Sequence, residues 1–505
     1  MNPVASSKCV TRLLMALAAI SGIFLTAGCG SGGGLILPIG GSFSNSSLKG
    51  QYVIAQTGIE LNQALTSNDP FSETTVFTAD GSGHLTIPVD DFDQDGILYT
   101  VPQQSPLAGT YSIASDGTGS LFFNSSSYAI TMIDDSHFYL IEQDTFATSS
   151  GFGEKQDTTA FTAAPSGTFV FKAHNLQTSS RVGGITITSG AISGTEDLLN
   201  LGALSSSVAV TSSVAMSAPD STTGKGTFTL SDGVSTAAFN YYVVNSSKFH
   251  IMSSSGGLEI GQAEAQTGGP FSVATLAAGA SYVFGSSGDT SVSGTAGIHS
   301  AGVFTTDGAG NIEAGSSTVP GAVDYVQDST VNSNLAVSGG TYILASNGRG
   351  TVNLTLTGGN ISPQIFWMVN RTSAYFLADS TAAVEDGTFS QQTGGPFTAL
   401  TSQAAFVMDG FDVAYKDRVG AFKPTATTFK WTQAANSFDP SIPYGGVPSA
   451  TGTNGTYQVS SNGRATVTVN GVDNAIVFYL SSANSGFIVQ EDADIGGAFG
   501  QQASQ

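Results

Sequence analysis

The strongest constraint on this chain is that it repeats itself four times. A glutamine recurs at Gln156, Gln266, Gln392 and Gln502. Around two of these points the sequence is identical: Gln266-Thr267-Gly268-Gly269-Pro270-Phe271 and Gln392-Thr393-Gly394-Gly395-Pro396-Phe397. Two further markers return in a fixed order between the glutamines. One is a glycine turn feeding a strand-like run, at Gly117, Gly224, Gly348 and Gly463. The other is a serine, a variable residue and an aromatic, ending on Phe138, Phe249, Tyr375 and Phe487. Each copy also opens on an aromatic followed by valine: Tyr52-Val53, Phe169-Val170, Tyr282-Val283 and Phe406-Val407. Self-similarity of this kind marks one supersecondary unit copied in tandem. It sets modules at 48–160, 161–273, 274–399 and 400–505.

Within a module the period is two. Thr351-Val352-Asn353-Leu354-Thr355-Leu356-Thr357 alternates polar and apolar without a break, the pattern of a strand with one packed face and one wet face. Ile365–Val369 and Ile476–Leu480 are apolar on both faces, which predicts strands covered on both sides where modules touch. Asp80-Gly81, Asp116-Gly117, Asp307-Gly308, Asn347-Gly348 and Asn462-Gly463 separate such runs. These dipeptides close tight antiparallel turns because both residues accept left-handed backbone. Sustained helical periodicity is absent; Glu60 to Leu65 is at most one helical turn. Only 10% of residues are charged, so Ser, Thr, Asn and Gly keep the surface wet, as suits strands and turns. The expectation is an all-β chain of four tandem antiparallel modules. Consecutive hairpins favour an up-and-down β-barrel of lipocalin or avidin type over an immunoglobulin-like sandwich. A sandwich needs crossovers, for which the poorly patterned stretch from Leu198 to Ser221 is the candidate.

The N-terminal segment reads as an address. Lys8 and Arg12 precede an apolar run from Leu13 to Leu25, too short to span a bilayer comfortably. It ends in Leu25-Thr26-Ala27-Gly28-Cys29, which resembles the lipobox of bacterial lipoprotein signal peptides. That resemblance implies a signal peptide over 1–28, cleavage before Cys29 and a diacylglycerol on its thiol. Gly30, rather than Asp, at the next position implies the outer membrane, with the body periplasmic or surface-facing. Residues 29–47 are rich in Gly and Ser and read as a flexible tether. The other cysteine, Cys9, leaves with the signal peptide, so the mature chain forms no internal disulfide. The formal charge of −22 disfavours nucleic acid and anionic lipid faces as partners. As a whole the chain resembles Gly/Ser-rich repeat lipoproteins of Gram-negative bacteria, which implies location and not activity.

Chemical motifs are few. Asp91, Asp93 and Asp95, followed by Gly96, match the opening of a calcium loop. The closing carboxylate expected at position twelve is replaced by Pro102, and the competing reading is an acidic, solvated hairpin tip. No other cofactor is implied. Glu142, Asp379 and Glu491 each follow a marker aromatic by four, either as carboxylates at a barrel mouth or as strand ends reaching solvent. The five histidines, His84, His137, His174, His250 and His299, show no metal-ligand spacing. Trp367 and Trp431 fit a core better than a sugar-stacking platform. Nucleophile elbows, zinc-protease motifs, phosphate loops and dinucleotide fingerprints are lacking. The sequence therefore points to a non-enzymatic envelope lipoprotein, held to the membrane through Cys29, that binds an envelope protein or glycan or acts as a spacer. Two alternatives stand beside it: hollow barrels carrying a small apolar ligand, and an enzyme acting on polysaccharide, recognisable by paired carboxylates in a deep cleft. No ligand-binding residues are assignable from sequence.

Overall fold

The computed structural model describes residues 43–503 apart from 62–67, 95, 102–104, 176–177, 201–202, 256, 291–296, 317–318, 381, 413, 440, 443 and 472–474. The signal segment, Cys29, most of the tether, Asp95 and Pro102 lie outside the described residues. Those described form four closed antiparallel β-barrels in tandem, spanning 49–155, 167–265, 281–391 and 404–501. Strands follow one another by hairpins, and the last strand of each barrel pairs with the first: Lys49–Leu61 with Ala147–Lys155, Gly167–Asn175 with Ile260–Ala265, Ser281–Asp289 with Val384–Gln391, and Ala404–Asp412 with Asp494–Gln501. Closure removes most of the free edge; the second barrel is joined between Ala203–Thr211 and Lys225–Ser231 by the single pair Thr211 and Ser231. Gly81, Gly117, Gly308, Gly348 and Gly463 all have the left-handed backbone that the Asp-Gly and Asn-Gly turns require.

Two expectations need correction. The stretch after Leu198 supplies no sandwich crossover, because Ala203–Thr211 is a further meander strand. Glu60 and Leu61 continue the strand Lys49–Leu61 instead of starting a helical turn. Among the described residues the only helical pieces are short 3-10 turns at Asn45–Ser47, Thr158–Thr162 and Val273–Thr275.

Each barrel interior is filled by side chains. Tyr52, Phe77, Leu121 and Phe138 are among those in the first; Phe169, Ile185, Phe228 and Tyr241 in the second. Tyr282, Phe304, Phe366 and Phe389 serve the third, and Phe406, Trp431, Val467 and Phe499 the fourth. A phenylalanine from the segment just before each barrel plugs one end: Phe43, Phe161, Phe271 and Phe397. The serine-x-aromatic marker is not one position in space. Phe138 and Phe249 point into their cores, whereas Tyr375 and Phe487 fall one residue later and face outward. Ala374 and Gly486 take the inward places, opposite Phe389 and Phe499.

The four barrels close into a ring. The first three strands of each barrel pack on two later strands of the next. Val53, Val76 and Val89 of the first barrel meet Tyr242, Val244 and Met252 of the second. Val170, Val182 and Leu199 meet Ile365, Trp367 and Val369; Val283, Val303 and Val326 meet Val477, Tyr479 and Val489. Val407, Val419 and Ala434 of the fourth barrel then meet Ala129, Tyr139 and Ile141 of the first. Repeating one head-to-tail contact gives a ring whenever its rotation closes. The two-faced apolar runs at Ile365 and Ile476 are therefore seam strands.

The recurring glutamine fastens each seam. Its side-chain nitrogen donates to two backbone carbonyls of the next barrel. Gln156 reaches Val243 at 2.6 Å and Thr223 at 3.2 Å. Gln266 reaches Met368 and Asn347 at 2.8 and 3.0 Å, and Gln392 reaches Leu480 and Asn462 at 2.7 and 2.8 Å. Gln502 returns to the first barrel, at Met132 and Asp116, 2.7 and 3.0 Å away. The marker glycines are what these amides pack against: a Cβ on Gly117, Gly348 or Gly463 would crowd Nε2 of Gln502, Gln266 or Gln392.

Three seams also bury a carboxylate against a cation and an aromatic. Asp91 accepts from Lys225 Nζ at 2.5 Å and from the Tyr242 hydroxyl. Asp197 is clamped by Arg349 at 2.7 and 3.0 Å and by Trp367 Nε1 at 2.9 Å. Asp324 is clamped by Arg464, at 2.6 Å to each oxygen, and by the Tyr479 hydroxyl. All three carboxylates are fully buried. Each cation pairs across its hairpin with its aromatic, and the same pair in the first barrel is Thr118 and Thr131. The fourth seam is thus uncharged at this place. Asn436 serves there instead, donating to the carbonyls of Ala147 and Asp144 at 2.8 and 3.0 Å.

Replacing Gln502 by Ala takes this donor from the Met132 carbonyl, while Asp116 keeps Gln403 Nε2 at 3.2 Å; a cost of about 1–3 kcal/mol is expected, with faster amide exchange confined to the seam between the fourth and first barrels. Asp197→Ala leaves Arg349 facing a buried void; a loss of about 3–5 kcal/mol in chemical denaturation is expected.

The chamber at the hub of the ring

The first and last strands of every barrel line the ring's axis. They approach closely because a glycine stands at one fourfold-related place: Gly151, Gly261, Gly387 and Gly497, each five residues before its glutamine. A Cβ there would overlap the carbonyl oxygen of Ala55, Lys172, Gly285 or Val407 on the paired first strand. These four carbonyls are themselves fourfold mates. The regular Gly-x-x-x-x-Gln spacing is present in the sequence, but a lone glycine in a β-rich chain reads as a turn.

Between the barrels lies a chamber of about 530 Å3, lined by all four. That is within the range of small-molecule sites, roughly 300–1,000 Å3. It is outside every barrel interior. The ring's symmetry brings equivalent positions together, but the residues filling them differ: Thr57, His174, Ser287 and Asp409 each stand two residues after one of those four carbonyls, and all four line the chamber. Ser287 is exposed at the rim.

Charge is unevenly placed. On the side of the second and third barrels, Asp386 accepts from Lys172 Nζ at 3.1 Å and from Ser180 at 3.1 Å, with His174 Nδ1 at 3.6 Å. Burial pushes the Asp386 carboxyl up, but Lys172 and His174 outweigh it and hold it below the usual range. On the side of the third and fourth barrels stand Asp289, Asp409 and Asp417. Ser150 of the first barrel donates to Asp409, and Thr148 donates to Asp417. Among the described residues no Lys or Arg pairs with these three carboxylates. Burial, then the nearby Asp409 charge, pushes both Asp289 and Asp417 up to about 8. Burial pushes His174 and His299 down, so both rings are neutral at pH 7. His299 is 5% exposed, and its Nδ1 has no hydrogen-bond partner. Phe411 and Tyr415, edge-to-face at 5.3 Å, complete this wall.

The residues singled out from sequence scatter. Asp91 and Asp93 lie in the strand His84–Gln94, not in a loop or a solvated tip, and both are fully buried. Asp91 is the counter-ion of Lys225, and Asp93 accepts from the Leu258 amide at 3.2 Å. Among the described residues no three potential ligands group as a metal site. Glu142 is buried inside the first barrel, Asp379 is exposed, and Glu491 lies 3.2 Å from Arg464 at a seam. They share no mouth. Trp367 belongs to a seam and Trp431 to a core. Of the histidines, His174 and His299 meet at the chamber.

No family model matches the sequence, and no curated protein matches it. A solved structure, "The Structure of Intact Ap-TbpB (N and C lobes)", aligns over 90% of this chain and 76% of its own at 8% identity and a TM-score of 0.13, a level that carries no argument.

The raised carboxyls give a pH dependence of definite sign. An unfolded Asp loses its proton near pH 4, whereas Asp289 and Asp417 keep theirs to about 8 in the folded chain. Between those values the folded state holds protons that the unfolded state releases, so stability falls as pH rises. A lower melting temperature at pH 9 than at pH 5 is expected, with the gap narrowed by Asp417→Asn.

Proposed function

We propose that this is a lipid-anchored protein of the bacterial outer membrane that binds a small polar molecule in its hub chamber and does no chemistry on it. The anchor rests on the Leu25–Cys29 lipobox, with the membrane as partner through lipid on Cys29. The binding role rests on one observation: the fourth barrel closes on the first, so that four barrels share one chamber. A spacer gains nothing from returning to its start. Filled interiors offer no room for an apolar ligand within a barrel, which removes support from the hollow-carrier reading. An envelope protein or glycan remains the partner class for the outer surface.

One observation favours a second reading, an enzyme acting on polysaccharide. Asp289 and Asp417, two carboxyls held protonated, stand with Asp409 on one chamber wall, and glycosidases use a protonated carboxyl as their general acid. Glycan hydrolysis abolished by Asp409→Asn would establish it.

The binding reading is tested in two steps. Cys29→Ser should move the protein from the membrane fraction to the soluble periplasmic extract. Native mass spectrometry of the wild type, purified without detergent, should show a small bound molecule. Ser287→Trp, which plugs the rim, should lose it; bare wild-type protein would sink the reading.

A further inference from the structure

We infer that the chamber's ligand is a small organic polycation, an aliphatic amine with two or more ammonium groups, held by Asp289, Asp409 and Asp417. This rests on the proposed binding role of the chamber. The three carboxylates come from two barrels and converge on one wall, yet among the described residues two of them are met only by hydroxyls of the first barrel, and Asp289 accepts no hydrogen bond. Burying acids without a cation is costly, and the chain meets the cost by protonating two of them. An incoming ammonium supplies the missing charge. A single metal ion does not suit the wall, because no three ligands among the described residues group for one. Spaced ammonium groups suit spaced carboxylates.

Two further features fit the same guest. Phe411 and Tyr415 line the wall, and aromatic faces attract alkylammonium groups by about 0.5–2 kcal/mol. The His299 ring also lines this wall and burial keeps it neutral, so it adds no positive charge to compete with a cationic guest. At longer range the net charge of −22 draws cations towards the body and repels anions. Lys172, the cation on the opposite wall, is already matched by Asp386, so it does not cancel the unmatched acids.

Proton linkage makes the inference testable. A polycation binds the ionised wall, so Asp289 and Asp417 must release protons as it enters. The groups facing them are Asp409 and Tyr415 from the fourth barrel, His299 and Asp386 from the third, Lys172 and His174 from the second and Tyr139 from the first. Of these, Asp386 is already ionised, the histidines are neutral and burial pushes both tyrosines up, so the two raised carboxyls dominate between pH 6 and 9. Calorimetric titration of the mature protein with spermidine should show affinity rising about tenfold or more from pH 6 to pH 9, with protons released to buffer at pH 7. Asp409→Asn with Asp417→Asn should abolish binding while keeping the fold by circular dichroism; Asp379→Asn, exposed elsewhere, should leave it unchanged.

Maltotriose is the neutral comparison. Binding of maltotriose in preference to spermidine, pH-insensitive spermidine binding, or binding unaffected by the double variant would each overturn the inference. If spermidine fails but a Ser287→Trp-sensitive occupant is seen by native mass spectrometry, the chamber keeps its role and only the cation assignment falls. If that occupant is also missing, both fall.

Discussion

Four glutamine amides, buried at Gln156 and Gln502 and half-buried at Gln266 and Gln392, tie this molecule into one piece. Each barrel has its own filled core and a sheet closed on itself, so nothing in a single barrel requires a neighbour. The glutamine changes that. Its Nε2 donates to two carbonyls at the turn of the next barrel. Backbone adds a second stitch at each place, from the residue after each glutamine: Asp157 to Val244, Thr267 to Val369, Thr393 to Ser481 and Ala503 to Ile133. A donor pair of this kind fixes direction as well as proximity, and four equal rotations return the chain to its origin.

Seam chemistry is layered on that geometry. A buried carboxylate with Lys or Arg is worth little as net stability, yet it punishes misalignment because any slip leaves a bare charge. Asp197 and Asp324 are held below the usual carboxylate range because Arg349 and Arg464 outweigh their burial. They stay ionised across the pH range in which the chamber acids change state. The ring's frame and its hub therefore respond to different conditions.

Local features were legible in the sequence and long-range ones were not. Period-two alternation and the Asp-Gly and Asn-Gly turns are local, and they led to barrels. Ile365–Val369 announced a strand covered on both sides because both of its faces are apolar. Gln156 and its mates were legible as markers but not as donors, since their partners lie in another barrel. Asp91 and Asp93 were misread for a physical reason: ligands at positions one, three and five of a calcium loop share the spacing of one face of a strand. Here that face turns to the second barrel. The chamber itself was beyond reach, because Asp289, Asp409, Asp417 and His299 occur in unrelated local contexts and meet only when the ring closes.

The uncharged fourth seam has a consequence for how the molecule is made. Its two sides, around Ile141 and Val419, are farther apart in the chain than those of the other three, and its glutamine, Gln502, is the last of the four to be synthesised. Those three carry charged clamps that select the correct neighbour while unpaired barrels are still available as wrong ones. By the time Gln502 arrives only one docking face is left. Complementary shape is then enough, and a clamp that discriminates among competitors has nothing left to reject.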